Sequence, residues 1–425
     1  MSDGNLPVAE TVVLGATEVA TVPPAAGPRR PGPEALGIVP RGAIAVADGR
    51  ILWVGPEAEL AGAVRRTPET IELRADGCLV TPGLVECHTH LVYGGERSAE
   101  FEQRCQGASY LEIAAAGGGI LATVGATRRA SEEALTRGAW ARLQRLLAQG
   151  VTTCEIKSGY GLTLADELKI LRVVRTLAGL QPVRLVPTLL AAHAVPPEYR
   201  ERRADYVRLV CEEVIPAVAE EGLATGCDVF CEQGAFSVAE ARQVLLAARE
   251  RGLTLHLHAE QFSASGGARL AVELGASSAD HLEAVTESDA WLLAAADVVA
   301  VALPACNVFL DQPERMPARR LLEAGVRVAL STDHNPGTSP CLSPWLVATL
   351  GCSLLHLTAA ESLAGLTAEP ARALGLQGQR GTLQPGAAAD LAAFPVASYR
   401  QLPYAFGALA ARWVMVGGRQ VHAAG

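Results

Sequence analysis

The sequence contains almost no lysine. Of its 36 lysines and arginines only two, Lys157 and Lys169, are lysines, and the formal net charge of the 425-residue chain is −9. We attribute the excess of arginine to genome composition, because an acidic chain does not offer the basic surface that nucleic-acid binding requires. The composition therefore predicts no nucleic-acid partner.

Long apolar runs and paired cysteines are also missing. No stretch reaches the roughly 18 uncharged apolar residues of a membrane span. The opening residues, MSDGNLPVAE, lack the basic and apolar regions of a secretory signal. The ten cysteines are scattered without CxxC spacing, which is typical of reduced thiols rather than of a disulfide framework. We expect a cytoplasmic protein with no membrane partner.

Both ends of the chain are rich in strand and turn signals. Asp48-Gly49 and Gly417-Gly418 each lie between β-prone runs, the pattern of a tight hairpin. The simplest arrangement is a small β-sandwich domain built from residues 1–80 and 371–425. A larger domain of residues 81–370 is then inserted between its two parts.

The middle of the chain alternates short apolar strands with helical patterns. Strand candidates occupy residues 84–89, 152–157, 183–190, 227–232, 253–258, 277–282, 297–303 and 326–332. Helical patterns cover residues 131–149, 163–179, 199–222, 235–251 and 264–274. This α/β alternation predicts a (β/α)8 TIM barrel. A doubly wound open sheet is the alternative, and the eight units and the inserted position favour the barrel over it.

Histidines concentrate at the expected strand ends. His88 and His90 lie in the stretch TPGLVECHTHLVYGGER, and residues two apart on a strand share a face. Seven of the nine histidines lie in or just after a candidate strand, or beside Asp333. Because the active site of such a barrel lies at the carboxyl ends of its strands, these positions indicate chemistry. A core role remains a serious alternative for any one histidine, but not for the set.

A metal site needs three or four protein ligands and an open position for water. We select His88, His90, His258 and Asp333, whose imidazole and carboxylate groups suit zinc or ferrous or ferric iron. His256 lies deeper on the face of His258, and we assign it a supporting or core role.

A bound metal would bring the pKa of a coordinated water toward neutrality, so that this water can lose a proton. A further group must accept that proton. His281 is the candidate that moves this water's proton to a leaving nitrogen, since an imidazole titrates near the working pH. Asp333 is a second candidate. The alternative for His281 is a strand-end histidine that bonds to Glu283.

Arg97 follows the histidine pair through a glycine loop and could place a guanidinium over the site. Arginine binds carboxylates in a fork, so an anionic small-molecule substrate is implied. Tyr110 and Tyr160 would add hydroxyl contacts, and the backbone N–H groups of the turn at residues 335–338 would hold a second polar end of the ligand. The alternative for Arg97 is a solvated surface residue.

Several motifs together resemble the imidazolonepropionases of the amidohydrolase superfamily. They are PGLVECHTHLVYGGER, SYLEIAAAGGGI, KSGYGL, LLAAHAVP, HAEQ, DHLE and STDHNPGTSP, and the match runs from about Thr81 to Pro340. His-x-His is specific only to the superfamily. GGER, AAAGGGI, KSGYGL and DHNPGTSP in that order are specific to the imidazolonepropionases.

The resemblance implies a hydrolase that opens 4-imidazolone-5-propanoate to N-formimidoyl-L-glutamate, a step of histidine degradation, in a homodimer. It supports the four ligands chosen above for a single zinc or iron ion, and His281 for proton transfer. It also implies that the following residues contact the substrate: Arg97, Tyr110, Tyr160, His193, Asn335, Gly337 and Thr338.

One position departs from part of the family. Some members carry a glutamate three residues after the fifth-strand ligand, where this chain has Gln261 preceded by Glu260. Glutamine can hold a ring amide but cannot transfer a proton, so we assign Gln261 to substrate binding. An acid–base part for Glu260 is left open.

Two alternative functions are weighed against this one. Another amidohydrolase, such as a ring-deaminating aminohydrolase, would commonly carry an acidic residue at Gln261 and would release ammonia. A catalytically silent barrel would typically have lost metal ligands, whereas all four are present here.

Overall fold

A computed structural model describes residues 6–24, 32–108, 112 and 117–424 of the chain. Its strands, labelled in chain order, are β1 (Thr11–Leu14), β2 (Glu18–Ala20), β3 (Ile38–Pro40), β4 (Gly42–Ala47), β5 (Arg50–Pro56), β6 (Ile71–Arg74), β7 (Leu79–Pro82), β8 (Leu84–Glu86), β9 (Val151–Lys157), β10 (Arg184–Ala192), β11 (Gly226–Cys231), β12 (Thr254–Ala259), β13 (Ser278–His281), β14 (Val299–Ala302), β15 (Val328–Leu330), β16 (Leu391–Phe394), β17 (Trp413–Val416) and β18 (Arg419–Ala423).

Strands β8 to β15 form one parallel sheet in which each strand pairs with its neighbour in sequence. The first and last strands meet through a parallel bridge between Thr89 and His334, where the His90 N–H donates to the His334 carbonyl over 2.8 Å. This contact closes the sheet on itself. The predicted (β/α)8 barrel is confirmed, and the open-sheet alternative is wrong.

Helices lie between successive barrel strands and cover their outer faces. The α-helices of the described residues are Leu60–Ala63, Ser98–Cys105, Ile120–Arg129, Glu132–Leu147, Leu164–Leu180, Arg203–Leu209, Ile215–Glu220, Val238–Glu250, Gly267–Leu274, Glu287–Ala295, Pro304–Phe309, Ala318–Ala324, Pro344–Leu355, Ala359–Gly365, Ala368–Ala373 and Gln401–Tyr404. Several begin at a serine or threonine whose hydroxyl accepts a first-turn N–H, as Ser131, Thr163 and Thr286 do, which satisfies donors that the helix itself leaves unpaired.

One expected helix is interrupted. Residues 199–222 were predicted as a single helix, but a π-helical turn over Val210–Val214 separates Arg203–Leu209 from Ile215–Glu220. Pro216 lies just after this turn. Proline lacks an N–H and its ring crowds the carbonyl four residues earlier, so the chain widens there instead of continuing a regular helix.

The two chain ends build the second part of the molecule. A four-stranded sheet in the order β5-β4-β1-β6 faces a six-stranded sheet in the order β18-β17-β16-β7-β2-β3. Val13 and Ile44 of the first sheet share a buried cluster with Val80, Leu391 and Trp413 of the second. The expected β-sandwich from both ends is therefore confirmed.

Both predicted hairpin turns occur where the sequence placed them. Asp48 and Gly49 have φ angles of 51° and 68°, and Gly417 and Gly418 have φ angles of 55° and 80°. Two consecutive left-handed residues match the twist of the flanking strands. Among the described residues, no helix is both long and apolar enough to cross a lipid bilayer.

Candidate active site

Four histidines and one aspartate converge at the carboxyl ends of the barrel strands. His88 and His90 follow β8, His258 lies in β12, His281 ends β13 and Asp333 follows β15. The ring centroid of His88 lies 4.4 Å from that of His258 and 5.4 Å from that of His90. The Nε2 atoms of His88 and His90 lie 3.5 and 3.6 Å from Asp333 Oδ1. The sequence-predicted ligands are thus brought together.

The donor atoms of this cluster fit a metal ion. His88 Nε2 is buried and has no hydrogen-bond partner among the described residues. Ligand atoms of His88, His90 and Asp333 lie within 4.8 Å of one another, and so do those of His88, His258 and His281. Burial lowers the pKa of His88 and His90 well below the usual imidazole value, which leaves the rings neutral with lone pairs for a cation.

Two buried carboxylates lie behind the histidine rings. Asp280 Oδ2 is 2.5 Å from His88 Nδ1, and Asp228 Oδ2 is 2.9 Å from His258 Nδ1. Each carboxylate engages Nδ1, so each ring turns its Nε2 into the cluster, as in carboxylate–histidine–metal arrangements. Neither aspartate was assigned this role from the sequence. The available signal was a charged residue between apolar residues of a strand, as Asp228 is in the CDVFCE stretch.

Lys157 neutralises part of this buried negative charge. Its Nζ lies 2.8 Å from Glu155 Oε1, 2.8 Å from Asp228 Oδ2 and 3.7 Å from Asp280 Oδ2, and the side chain is fully buried. Burial alone would raise the pKa of Asp228, but His258 and Lys157 outweigh it and hold that pKa well below the usual range. The lysine at the end of β9 therefore stabilises the two carboxylates that contact the histidine rings.

Glu86 fixes the seam of the barrel next to the cluster. Its carboxylate accepts hydrogen bonds from Ser331 Oγ over 2.7 Å, from the Thr332 N–H over 3.0 Å and from Thr332 Oγ1 over 2.9 Å. The Ser331 hydroxyl in turn accepts from the His88 N–H over 3.0 Å. These bonds hold the segment after β8 against the segment after β15, which brings His88 and Asp333 together.

His281 has a raised pKa despite its burial. Desolvation lowers this pKa, but Glu283, Asp333 and Asp280 outweigh it. His281 Nδ1 lies 3.6 Å from Glu283 Oε1, which is longer than a hydrogen bond. His281 and Asp333 both have left-handed backbones, with φ of 76° and 51°, and such strain concentrates at functional sites.

Arg97 is held near the 335–338 turn rather than in solvent. Its Nε and Nη2 donate to Glu100 Oε2 over 2.9 and 2.6 Å, and its side chain is 12% exposed. A Cβ atom built on Gly337 would lie 2.0 Å from Arg97 Nη1, so the guanidinium rests against the glycine backbone. The surface alternative for Arg97 is wrong.

The 335–338 turn departs from one expectation. The N–H groups of Gly337 and Thr338 donate to Asn335 Oδ1 over 2.9 and 2.7 Å. Both are thus engaged within the turn, so the expectation that these N–H groups hold a polar end of the ligand is wrong. An asparagine side chain two residues ahead commonly closes a turn in this way.

Tyr160 and His193 line one side of the histidine cluster. The His193 ring stacks on His90 with centroids 5.2 Å apart, and the Tyr160 ring lies 5.8 Å from His90. His193 Nδ1 donates to the Gly159 carbonyl over 3.1 Å, and burial lowers the pKa of His193 to about 3. His193 is therefore neutral with an accepting Nε2. Tyr110 lies outside the described residues.

Glu260 contacts the helix that follows β12. Its φ of 55° breaks the strand alternation, and its Oε1 accepts from the Ala268 N–H over 3.3 Å at the start of the helix Gly267–Leu274. Gln261 instead places its Nε2 3.8 Å from Cys306 Sγ. One oxygen of the Glu260 carboxylate thus bonds to the helix, and Oε2 is buried without a hydrogen-bond partner among the described residues. His256 bonds to Ser278 deeper in the barrel, as its supporting role requires.

Comparisons with known proteins agree with this architecture. Residues 79–421 match the Amidohydrolase family. The chain is 52% identical over 413 residues to an imidazolonepropionase of Myxococcus xanthus (strain DK1622), covering 97% of each chain. It is 50% identical over 370 residues to an imidazolonepropionase of Yersinia enterocolitica, covering 87% of this chain and 90% of that one.

Solved structures share the fold at low sequence identity. An adenosine deaminase of Xanthomonas campestris with bound zinc aligns with a TM-score of 0.72 at 20% identity, over 98% of this chain and 93% of that one. A 5-methylcytosine deaminase of Klebsiella pneumoniae aligns with a TM-score of 0.73 at 16% identity, over 97% and 98%. At these identities the structures support the fold alone.

Proposed function

The chain belongs to the imidazolonepropionase family of the amidohydrolases, and we propose from this that it hydrolyses 4-imidazolone-5-propanoate to N-formimidoyl-L-glutamate in histidine degradation. The observation that carries the proposal is the buried convergence of His88, His90, His258 and Asp333, with an unpartnered Nε2 on His88. Relatives of about half-identical sequence, matched over nearly their whole length, support the choice of substrate.

A divalent metal suits this donor set, and we propose that His88, His90, His258 and Asp333 hold one zinc or iron ion per chain. Neutral imidazoles and a carboxylate are the ligands both metals accept. When bound, such an ion supplies an activated water and polarises a carbonyl oxygen. Asp228 and Asp280 contact the Nδ1 atoms of His258 and His88, which would leave the Nε2 atom of each ring to bind the ion.

In this proposal His281 and Asp333 transfer the proton of the attacking water to the leaving nitrogen. Water adds to the ring carbonyl carbon, the adjacent ring C–N bond breaks, and the leaving nitrogen takes up a proton. His281 Nδ1 faces Glu283, so Nε2 is the atom that receives the proton of the water and returns it. Neighbouring acidic groups raise the pKa of His281, which stabilises the protonated intermediate state of this shuttle.

The remaining predicted residues bind and orient the substrate. Arg97 binds the propionate, with a guanidinium already oriented by Glu100. The neutral His193 offers Nε2 as an acceptor for a ring N–H, and Tyr160 adds a hydroxyl. Gln261, Asn335, Gly337 and Thr338 complete the pocket. Tyr110, which lies outside the described residues, is a further substrate contact that the family resemblance implies. Binding of the remote propionate orients the reacting amide.

The experiment is turnover of freshly generated 4-imidazolone-5-propanoate by the purified, metal-loaded chain. Ring absorbance should fall, N-formimidoyl-L-glutamate should accumulate in equal amount, and no ammonia should appear. Ammonia release would instead identify a ring-deaminating amidohydrolase. Metal-loaded protein that leaves the ring intact would point to a silent barrel.

We also propose a cytoplasmic homodimer. The ten cysteines, all in the described part of the chain, are free thiols and most are buried, which suits a reducing compartment. Light scattering after size-exclusion chromatography should give twice the mass of the 44.3 kDa chain.

A further inference from the structure

The loop that carries Tyr160 folds around a buried carboxylate. Glu167, in the first turn of the helix Leu164–Leu180, is fully buried. Its Oε2 accepts from the Gly159 N–H over 3.1 Å, and its Oε1 accepts from the Gly161 and Leu162 N–H groups, each over 2.8 Å. Three backbone donors of one short loop therefore converge on a single side chain.

The two glycines of the KSGYGL motif are explained by this wrapping. Gly159 has φ +103°, and a Cβ there would lie 2.9 Å from the Leu190 carbonyl oxygen. A Cβ on Gly161 would lie 2.6 Å from the Glu167 backbone nitrogen. Contacts this short with backbone atoms could be relieved only by moving the chain, which close packing opposes. The loop can thus close over the carboxylate only because both positions lack a side chain.

The same loop positions two side chains that face the histidine cluster. Tyr160 lies between Gly159 and Gly161, and its ring centroid is 5.8 Å from that of His90. The Gly159 carbonyl accepts from His193 Nδ1 over 3.1 Å. Moving the Gly159–Gly161 segment would therefore move Tyr160 directly and would release the bond that orients His193.

The opposite side of the loop is tied as well. Arg128 Nε donates to the Gly161 carbonyl over 2.7 Å, and the Ser158 N–H donates to the Thr188 carbonyl over 2.9 Å. These bonds fix Ser158 and the Gly161 carbonyl, while the N–H groups of Gly159, Gly161 and Leu162 depend on Glu167. A buried carboxylate that accepts several N–H bonds is costly to replace, because each donor left unpaired is desolvated without compensation.

We propose that Glu167 is a positioning residue for substrate binding, which holds residues 158–162 so that Tyr160 and His193 meet the ligand. This inference rests on the proposed function, because the ligand is the imidazolone substrate. Glu167 acts through the loop and does not touch the reacting atoms. Its loss should weaken substrate binding more than it slows the chemical step.

The test compares E167Q and E167A with E240Q in the metal-loaded full-length protein. Glu240 is a matched control, because it is also a first-turn helix carboxylate that accepts a backbone N–H, from Ser237 over 2.8 Å. We expect E167Q to raise KM about tenfold, the size of one lost charge-assisted hydrogen bond. E167A should raise it further, with kcat within about threefold of the parent in both variants. E240Q should leave both constants unchanged.

The proposal is overturned if E167Q leaves KM within about twofold of the parent, or lowers kcat at constant KM. E167Q retains the shape of the side chain, so its result decides the matter if E167A does not fold. Should the parent protein fail to open the ring, the proposed function fails separately. In that case, amide hydrogen exchange of residues 159–162 tests whether Glu167 positions this loop. Faster exchange in E167Q but not in E240Q supports it, and equal exchange in all three proteins overturns it.

Discussion

At the residue scale, the absence of a side chain at Gly337 is what lets Arg97 approach the site. The guanidinium occupies the volume that a Cβ at position 337 would need. Because Arg97 is the end of a flexible side chain, G337A should move the guanidinium rather than prevent folding. We expect KM to rise about tenfold or more through misplacement of the carboxylate-binding group, with little change in the urea midpoint.

Gly179 offers the matched control for this substitution. It lies in the helix Leu164–Leu180, and a Cβ there would meet no atom within 4 Å. G179A should leave KM unchanged and stabilise the helix by about 0.5–1 kcal/mol. An unchanged KM in G337A would contradict a role for Arg97 in substrate binding.

Single residues differ in how far the sequence could predict them. His88, His90, His258, His281 and Asp333 were predictable because each lies at the end of an apolar strand, and barrel geometry brings strand ends together. Glu167 and Asp228 were not assigned roles, because these depend on which atoms of distant segments lie within hydrogen-bond distance. Periodicity carries no information about such distances.

At the element scale, the short helix Ala359–Gly365 depends on one carboxylate. Thr358 and Glu361 form a capping box, and Glu361 Oε2 also lies 2.6 Å from Arg319 Nη2. Burial would raise the pKa of Glu361, but the bonds from Arg319 and Thr358 outweigh it and lower the pKa below its usual value. A lowered folded-state pKa contributes stability above the unfolded pKa, and this is lost as pH falls through the folded pKa.

E361Q should therefore destabilise the protein by about 1–2 kcal/mol near neutral pH. The difference in the free energy of unfolding between E361Q and the parent should narrow once the pH falls below the glutamate pKa in the unfolded chain, about 4.3. It should vanish below the pKa of Glu361 in the folded protein. Urea unfolding across this range measures it. E133Q is the control, because the Glu133 side chain is 82% exposed and its ion pair among the described residues is a surface contact with Arg137, which contributes little. A pH-independent loss in E361Q would contradict the charge argument.

The type and order of the barrel elements could be predicted from the sequence, but the residues at which they end could not. All eight barrel strands occur where apolar runs predicted them, because a parallel strand is buried on both faces. The first was expected over residues 84–89 but ends at Glu86, since the chain leaves the sheet to carry His88 and His90. The π-helical turn before Pro216 was also missed, because the local hydrophobic spacing continues through it.

At the scale of the whole molecule, the barrel and the β-sandwich share a core. Phe394 of β16 is fully buried, and its ring centroid lies 4.8 Å from that of Trp345 in the helix Pro344–Leu355. Leu79 and Val414 from the sandwich sheets belong to the same buried cluster as the barrel strands. The division into residues 81–370 and residues 1–80 with 371–425 remains our proposal for the domain boundaries, and we expect the two parts to unfold together because they share this core.

F394A should lower the stability of the whole chain by about 3–5 kcal/mol, the cost of emptying a buried aromatic site. Tryptophan fluorescence and far-UV circular dichroism should still report one coincident transition in urea. F406A is the control, because Phe406 is 71% exposed and its removal should change stability by less than about 0.5 kcal/mol. Separate transitions for the two signals would show that the parts unfold independently.

The shared core was beyond the sequence analysis for a physical reason. Hydrophobic spacing shows which face of an element is buried, but not which other element covers it. The inserted position of the barrel was nevertheless readable from the two β-rich ends. The packing of Phe394 against Trp345, by contrast, is visible only in the three-dimensional arrangement.

The central claim is that three imidazoles and one aspartate from the ends of three barrel strands hold a single metal ion, next to a histidine that moves a proton. The most direct measurement is the metal content per chain of the purified parent, H258A and H281A proteins, with turnover recorded on the same samples. We expect about one ion per chain in the parent and in H281A, and loss of the ion in H258A. H281A should turn over about 10²-fold to 10⁴-fold more slowly despite its full metal content. Full metal content in H258A, or undiminished turnover in H281A, would contradict the account.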